Sequence, residues 1–420
     1  MKRCERLLPL GVLLCLAVGL PACDDSRRRA GGEGEGEGDG AEGEGEGEGE
    51  GEGAEGEGEG EGEGEGAEGE GEGAEGEGEG EGEGEGEGEG AEGEGAEGEG
   101  ACDPSLSVTP LVLGEGACPI WQATPPAHPL AFAVAAHDRL VVLVEERGAG
   151  TMTYRVEEWS LEGDSITRAV VLEHVVDLSG GEPFPGSYLA RAEDGTVAFG
   201  YTWPGFSAPG KIVIGAAGWS VLLDAPGNYD AAFLSSGELL VEALGLGDDV
   251  ASGQGLYRAA LLSPERIELQ QVVGELGDYS APVEVVPGLV VAGGFFKDET
   301  RLFGFAPEVL EGELVSATDA GSLLLSGNVS GLGLLPAGTW RAGPALVLSL
   351  VNADWSFAGL SLREVVPGDA APFALGVSTS LLEPGPEGGS ITNLAAGAGI
   401  VVVLLGNGAD DRLIALGPRE

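Results

Sequence analysis

The sequence predicts an all-β domain carried behind a disordered acidic tract, on three observations. From Cys102 to Glu420, short runs of Val, Leu, Ile, Ala and Phe are broken at close intervals by Gly, Pro, Asn and Asp, and no long run keeps a helical period. That punctuation belongs to short strands and turns. Within the same region a glycine-led pentad and the apolar run after it recur about every 42–57 residues, the spacing of a repeat architecture. Ahead of the repeats, Gly32 to Ala101 is almost pure Glu-Gly alternation. Such a segment has nothing to bury against the entropy cost of ordering its backbone.

In chain order the segments are 1–22, 23–31, 32–101 and 102–420. Met1-Lys2-Arg3-Cys4-Glu5-Arg6 is mostly basic, and Leu7 to Leu20 is an apolar run of signal-peptide length, short for a bilayer span. Leu20-Pro21-Ala22-Cys23 follows. This run resembles the lipobox of bacterial lipoproteins, in which a small residue precedes an invariant Cys that is diacylated and becomes the new N-terminus. Pro21 departs from the usual occupant of its slot. The resemblance implies a signal peptide over 1–22, a lipid on Cys23 and a membrane partner held through that lipid. The place it implies is the bacterial cell envelope, at the outer membrane or cell surface rather than the inner membrane. Asp24 points the other way, since it fits a rule by which some Gram-negative bacteria retain lipoproteins at the inner membrane. The plain alternative is an ordinary secretory signal with an incidental Cys. Cys4 and Cys15 leave with a signal peptide, so Cys102 and Cys118 are the pair left for a disulfide in an exported chain. A loop of that size stabilises by about 3 kcal/mol in the chain-entropy model.

The tract 32–101 reads as a spacer. Glu at every second position puts like charges about 7 Å apart along an extended chain. That is inside the Debye length of about 8 Å at physiological salt, so the segment swells. A Gly-rich coil of this length spans about 45–50 Å, and full extension about 230 Å. Irregularly spaced Ala41, Ala54, Ala67, Ala74, Ala91 and Ala96 fit a slipped repeat better than a folded one. The whole chain has a formal net charge of −53, and residues 102–420 hold 39 acidic and 14 basic residues. Nucleic acid is excluded as a partner on that balance.

Residues 102–420 carry the repeat. Gly186-Ser187-Tyr188-Leu189-Ala190 is echoed by Gly227-Asn228-Tyr229-Asp230-Ala231 and Gly277-Asp278-Tyr279-Ser280-Ala281, and more weakly at 327–331 and 389–393. Each echo opens a strand, a turn and a second apolar strand. The second strands begin near Leu140, Val197, Leu239, Leu289, Ala345 and Ile400. Up to four short strands per unit at this period indicate a β-propeller of six blades. The second unit shows the pattern best, with strands at Tyr188–Glu193, Thr196–Thr202, Lys211–Ala216 and Trp219–Leu223 and a tight Asp194-Gly195 turn. The units resemble propeller blades in general, without the WD dipeptide of WD40 proteins. The last unit lacks a fourth strand, so the run Leu106 to Leu113 is expected to close the ring, with Pro110 on an outermost edge. A Cys102–Cys118 bridge requires that segment to double back, which makes a short disulfide-held hairpin the alternative for 102–118.

Chemistry is thinly marked. His128, His137 and His174 are the only histidines, and no HExxH, CxxC, P-loop or GxSxG occurs in a usable context. His137-Asp138-Arg139 reads as a polar turn between the first two strands of blade 1. In propellers the loops joining strands d to a and b to c share one face, where ligands usually bind. Two sets of residues fall there. Asp248, Asp249, Asp298, Asp354, Asp410 and Asp411 lie in b–c loops and are hard oxygen donors of the kind Ca²⁺ takes. They are also ordinary turn residues. Tyr188, Tyr229 and Tyr279 open three consecutive inner strands, and Tyr201, Trp203 and Phe206 lie at the b–c loop of blade 2. If exposed together these aromatics suit a protein or glycan ligand; as repeat positions they suit packing. The expected function is binding or scaffolding from a lipid anchor, with no cofactor. The alternative is a Ca²⁺-dependent hydrolase or lyase using carboxylates on the loop face.

Overall fold

The computed structural model describes residues 102–162, 165–186, 188–203, 210–225, 227–243, 255–263, 266–274, 282–296, 299–306, 315–316, 321–325, 328–354, 356–367, 372–406 and 410–419. Cys23 and the Glu-Gly tract lie outside the described residues. From Cys102 onward the chain is a six-bladed β-propeller.

Blade 1 is the plainest. Ala131–Ala136, Arg139–Arg147, Thr151–Glu162 and Ser165–Asp177 pair in sequence order as antiparallel strands a to d, from the axis outward. Its a–b connection is His137-Asp138, the expected polar turn. In blade 2 the inner edge is split between Phe184–Pro185 and Ala190–Arg191, both paired with strand b at Val197–Thr202. Gly210–Ala216 and Trp219–Ala225 follow. The expected Asp194-Gly195 turn is present, with Gly195 at φ 89°, a backbone region that glycine enters without strain.

Blade 3 runs Asn228–Phe233, Leu239–Ala243, Gly255–Ser263 and Arg266–Gly274, and Val315–Ser316 adds in parallel at its outer edge. Blade 4 is Val283–Val286, Leu289–Phe296, Glu299–Phe305 and Gly321–Leu324. Blade 5 is Asn328–Leu335, Ala345–Val351, Phe357–Val366 and Thr379–Glu383.

Blade 6 takes three strands from the C-terminal end, Ile391–Gly397, Ile400–Leu405 and Arg412–Pro418. Its fourth comes from the other end of the domain. Ala117–Ala123 pairs antiparallel with Arg412–Pro418, so the ring is closed by an N-terminal strand. The strand expected to do this was 106–113, and that assignment is corrected. Val112 and Leu113 pair instead with Glu383 and Leu382 on the outer edge of blade 5, and Val108 and Leu111 are buried in the seam between blades 5 and 6. The segment doubles back as the disulfide requires. Cys102 and Cys118 are bridged at a Cα–Cα distance of 5.5 Å, and the Asp103 amide donates to the Pro119 carbonyl at 2.8 Å. It is not a free-standing hairpin, because its partners are blades 5 and 6 rather than itself.

The core is distributed rather than central. Six hydrophobic clusters occur among the described residues, one at each seam between neighbouring blades, including the seam between blades 6 and 1. The two-residue period of a strand divides each b strand between two seams. Val401, Val403 and Leu405 face blade 5, whereas Ile400, Val402 and Leu404 face blade 1. Burial on both sides is why these strands read as unbroken apolar runs. A buried carboxylate is tolerated in blade 1 because it is fully met. Glu157 accepts from Arg168 Nη2 at 2.7 Å, Arg168 Nε at 2.8 Å and Trp159 Nε1 at 2.8 Å.

Candidate functional site

Antiparallel order places all d–a and b–c connections on one face of the ring, and the a–b and c–d turns on the other. The inner strands of the six blades surround a central channel of about 400 Å³. Its wall is mostly Ala, Val, Leu and Gly. The first residues of each inner strand lie toward the loop face, and there the wall carries Tyr188, Asp230 and Asn393. Glu193, Ser235 and Glu284 lie toward the turn face. Glu284 braces two blades, its Oε1 accepting from Ser235 Oγ at 3.1 Å and from the Gly288 amide at 2.8 Å. Asn393 ties blade 6 to blade 1, its Nδ2 donating to the Leu130 carbonyl at 2.9 Å.

Asp230 is the unusual group. Its Oδ1 accepts from the Ala231 amide at 2.8 Å. Enclosure by the blades pushes its carboxyl up to about 7, outweighing the Ala231 hydrogen bond, which acts the other way. Beside it, burial and then the neighbouring Asp230 charge raise the ionisation of the Tyr188 phenol well above the ordinary value.

The aromatic residues singled out in the sequence divide between core and surface. Tyr188 is 4% exposed and packs in the seam between blades 2 and 3. Tyr201 is 3% exposed in the seam between blades 1 and 2, where it stacks on Tyr154 at 5.5 Å and is hydrogen-bonded to His174 Nε2 at 3.0 Å. For these two tyrosines the packing reading holds rather than the exposed one. Alternation along a strand sends one residue to the seam and the next to the channel. Trp203 is half-buried and meets Tyr201 edge-on at 5.3 Å. The Tyr229 side chain lies outside what is described, as do Tyr279 and Phe206.

A surface aromatic that the sequence reading passed over lies at the same end of blade 2. Phe184 is 43% exposed and pairs opposite Thr202, the residue before Trp203. Its setting in Gly-Glu-Pro-Phe-Pro-Gly was the available signal: an aromatic alone in a Gly/Pro loop has no seam to enter. The ion pair of Arg147 and Glu182 holds this loop against blade 1, with Nη2–Oε2 at 2.8 Å.

Of the carboxylates considered as Ca²⁺ ligands, Asp354, Asp410 and Asp411 are described, and they join no metal-holding group among the described residues. Asp248, Asp249 and Asp298 lie outside the described residues. Asp354 is exposed and caps its own turn, accepting from the Ser356 amide at 3.0 Å and from Ser356 Oγ at 2.6 Å. Asp410 is exposed, while Asp411 is buried and accepts from His128 Nδ1. Among the described residues no group of three or more His, Cys, Asp or Glu side chains is placed to hold a metal ion. The His128–Asp411 contact joins residues far apart in sequence. It was legible in principle, since a d–a loop and a b–c loop of adjacent blades share a face.

No protein-family model matches the chain, and no curated protein is significantly similar to it in sequence. Solved structures similar to it include a protein of unknown function from Dyadobacter fermentans, 12% identical with a TM-score of 0.46, over 73% of this chain and 100% of that one. The β-propeller domain of the Trilobed protease from Pyrococcus furiosus is 10% identical with a TM-score of 0.34, over 74% of this chain and 96% of that one. Sqt1 from Chaetomium thermophilum is 14% identical with a TM-score of 0.36, over 69% and 83%. Likenesses this distant bear on neither ligand nor activity.

Proposed function

We propose that this chain is a lipid-anchored binding protein of the bacterial cell envelope. A lipid on Cys23 holds it at the outer membrane or cell surface, residues 32–101 act as the spacer, and the loop face of the propeller takes a protein or glycan. The observation that carries the binding reading is an exposed Phe184 and a half-buried Trp203 at the same end of blade 2, on the face where the channel opens. Apolar rings left in water gain most when a partner covers them, and aromatic anchors dominate the energetics of recognition surfaces. Asp230 and Asn393 at the same mouth supply hydrogen-bonding groups that suit the hydroxyls or amines of such a ligand.

The test uses immobilised full chain and panels of envelope glycans and periplasmic peptides, comparing wild type with Phe184→Ala and Trp203→Ala. The expected result is saturable retention of a ligand that weakens about tenfold or more in each variant, with a Phe184→Ala melting temperature close to wild type. Retention undiminished in the double variant overturns the assignment of this face.

A further inference from the structure

A second concavity lies far from the loop face. On the turn face, the seam between blades 5 and 6 opens into a cavity of about 360 Å³. Trp340 and Arg341 enter it from the a–b connection of blade 5, and Thr379 from the start of that blade's outer strand. Gly116 and Arg419 close it from the two strands of blade 6 that seal the ring, and Glu115 stands exposed on the rim. Trp340 is nearly buried and fixed, its Nε1 donating to the Gly399 carbonyl at 2.8 Å.

The guanidinium of Arg341 is held as well. Nη2 donates to Thr379 Oγ1, and Nη1 reaches the Trp340 carbonyl at 3.5 Å. An arginine has about five N–H donors in a rigid fork, so most of this one's capacity is unspent and already oriented. Arg139, Arg147, Arg155, Arg168, Lys211 and Arg258 each pair with a carboxylate. Neither Arg341 nor Arg419 forms an ion pair among the described residues. Residues 102–420 hold 39 acids against 14 bases. Against that excess, two arginines without carboxylate partners in one cavity make a local positive site on an acidic molecule.

We propose that this cavity is an oxyanion-binding site, taking a carboxylate or a phosphate group through the guanidinium groups of Arg341 and Arg419. Arg341 supplies the preoriented donors, and two parallel N–H···O bonds are the geometry such a fork favours. Arg419, whose amide meets the Gly116 carbonyl at 3.3 Å, adds charge to the same wall. The site is independent of the loop-face reading, since it shares no residue with it.

The experiment is isothermal titration of the full chain with inorganic phosphate and, separately, with citrate, in about 150 mM salt so that long-range repulsion from the acidic chain is screened. The expected result is one-site binding of at least one probe, weakened about tenfold or more by Arg341→Gln and by Arg419→Gln. Phosphate binding alone assigns a phosphate source, and citrate binding alone a carboxylate source. Arg147→Gln, which removes a paired cation elsewhere, should leave the affinity unchanged. Arg419→Gln alters only the end of the domain, so it reads the site even if Arg341→Gln unsettles the blade 5 turn. Binding of neither probe, or equal binding by the Arg341→Gln/Arg419→Gln double variant, overturns the proposal.

Discussion

Asp230 shows how a single residue is set by its neighbours rather than by its type. Its carboxyl is pushed up to about 7 by enclosure, well above the roughly 3.9 of an unfolded Asp. The folded state therefore binds more protons than the unfolded state between about pH 4 and 7, and stability falls as pH rises through that window. Asp230→Asn keeps an acceptor for the Ala231 amide and removes the charge. It should stabilise the domain by about 2–4 kcal/mol at pH 8 and by little near pH 4. Denaturant unfolding at the two pH values checks this, and equal effects at both would refute the burial argument. The sequence could not have singled out Asp230. Its pentad, Gly227-Asn228-Tyr229-Asp230-Ala231, aligns it with Leu189 and Ser280, residues of unlike type, and the register shift between Asn228 and Asp230 decides which side chain meets the channel. One residue of slip exchanges seam for channel. Tyr188 and Tyr201 were ambiguous for the same reason: repetition marks a position, not the side it faces.

At the scale of strands, the most legible elements were those buried on both faces. The b strands begin at Arg139, Val197, Leu239, Leu289, Ala345 and Ile400, within one residue of where the apolar runs placed them. The closing strand was illegible for the opposite reason. Ala117–Ala123 reads Ala-Cys-Pro-Ile-Trp-Gln-Ala, with neither alternation nor a continuous apolar run. An internal Pro argues against a strand unless the strand is outermost, and Pro119 is on such an edge, beside a register shift between Pro119 and Trp121. The edge argument first attached to Pro110 belongs to Pro119. Two deletions separate the roles. Removing 106–113 should cost the burial of Val108 and Leu111 but leave a cooperative fold. Removing 102–123 exposes the Arg412–Pro418 edge, so the domain should aggregate or lose its cooperative transition. Equal urea midpoints for the two deletions would contradict the closure described. Cys118→Ala, which frees the arm but leaves the strand, should cost about 3 kcal/mol in the chain-entropy model.

For the molecule as a whole, the six seam clusters make each blade depend on two neighbours, and the N-terminal closing strand ties both ends of the domain together. A ring built this way can be held by one end without exposing an edge, which suits display from a tether. The tether itself is argued from composition. The isolated 32–101 peptide should contract when salt rises from about 10 to 500 mM, as the Debye length falls several-fold. A scattering radius indifferent to salt would remove the repulsion argument. Display from a membrane is the claim on which the functional reading rests, and the mature N-terminus tests it most directly. Intact-mass analysis of the full chain, recovered from the membranes of bacteria that produce it, should find a chain beginning at Cys23 with the added mass of a diacylglyceryl group. Cys23→Ala should abolish both that mass and membrane retention. A mature chain that begins elsewhere without lipid, or a Cys23→Ala chain still processed and membrane-bound, would contradict the account.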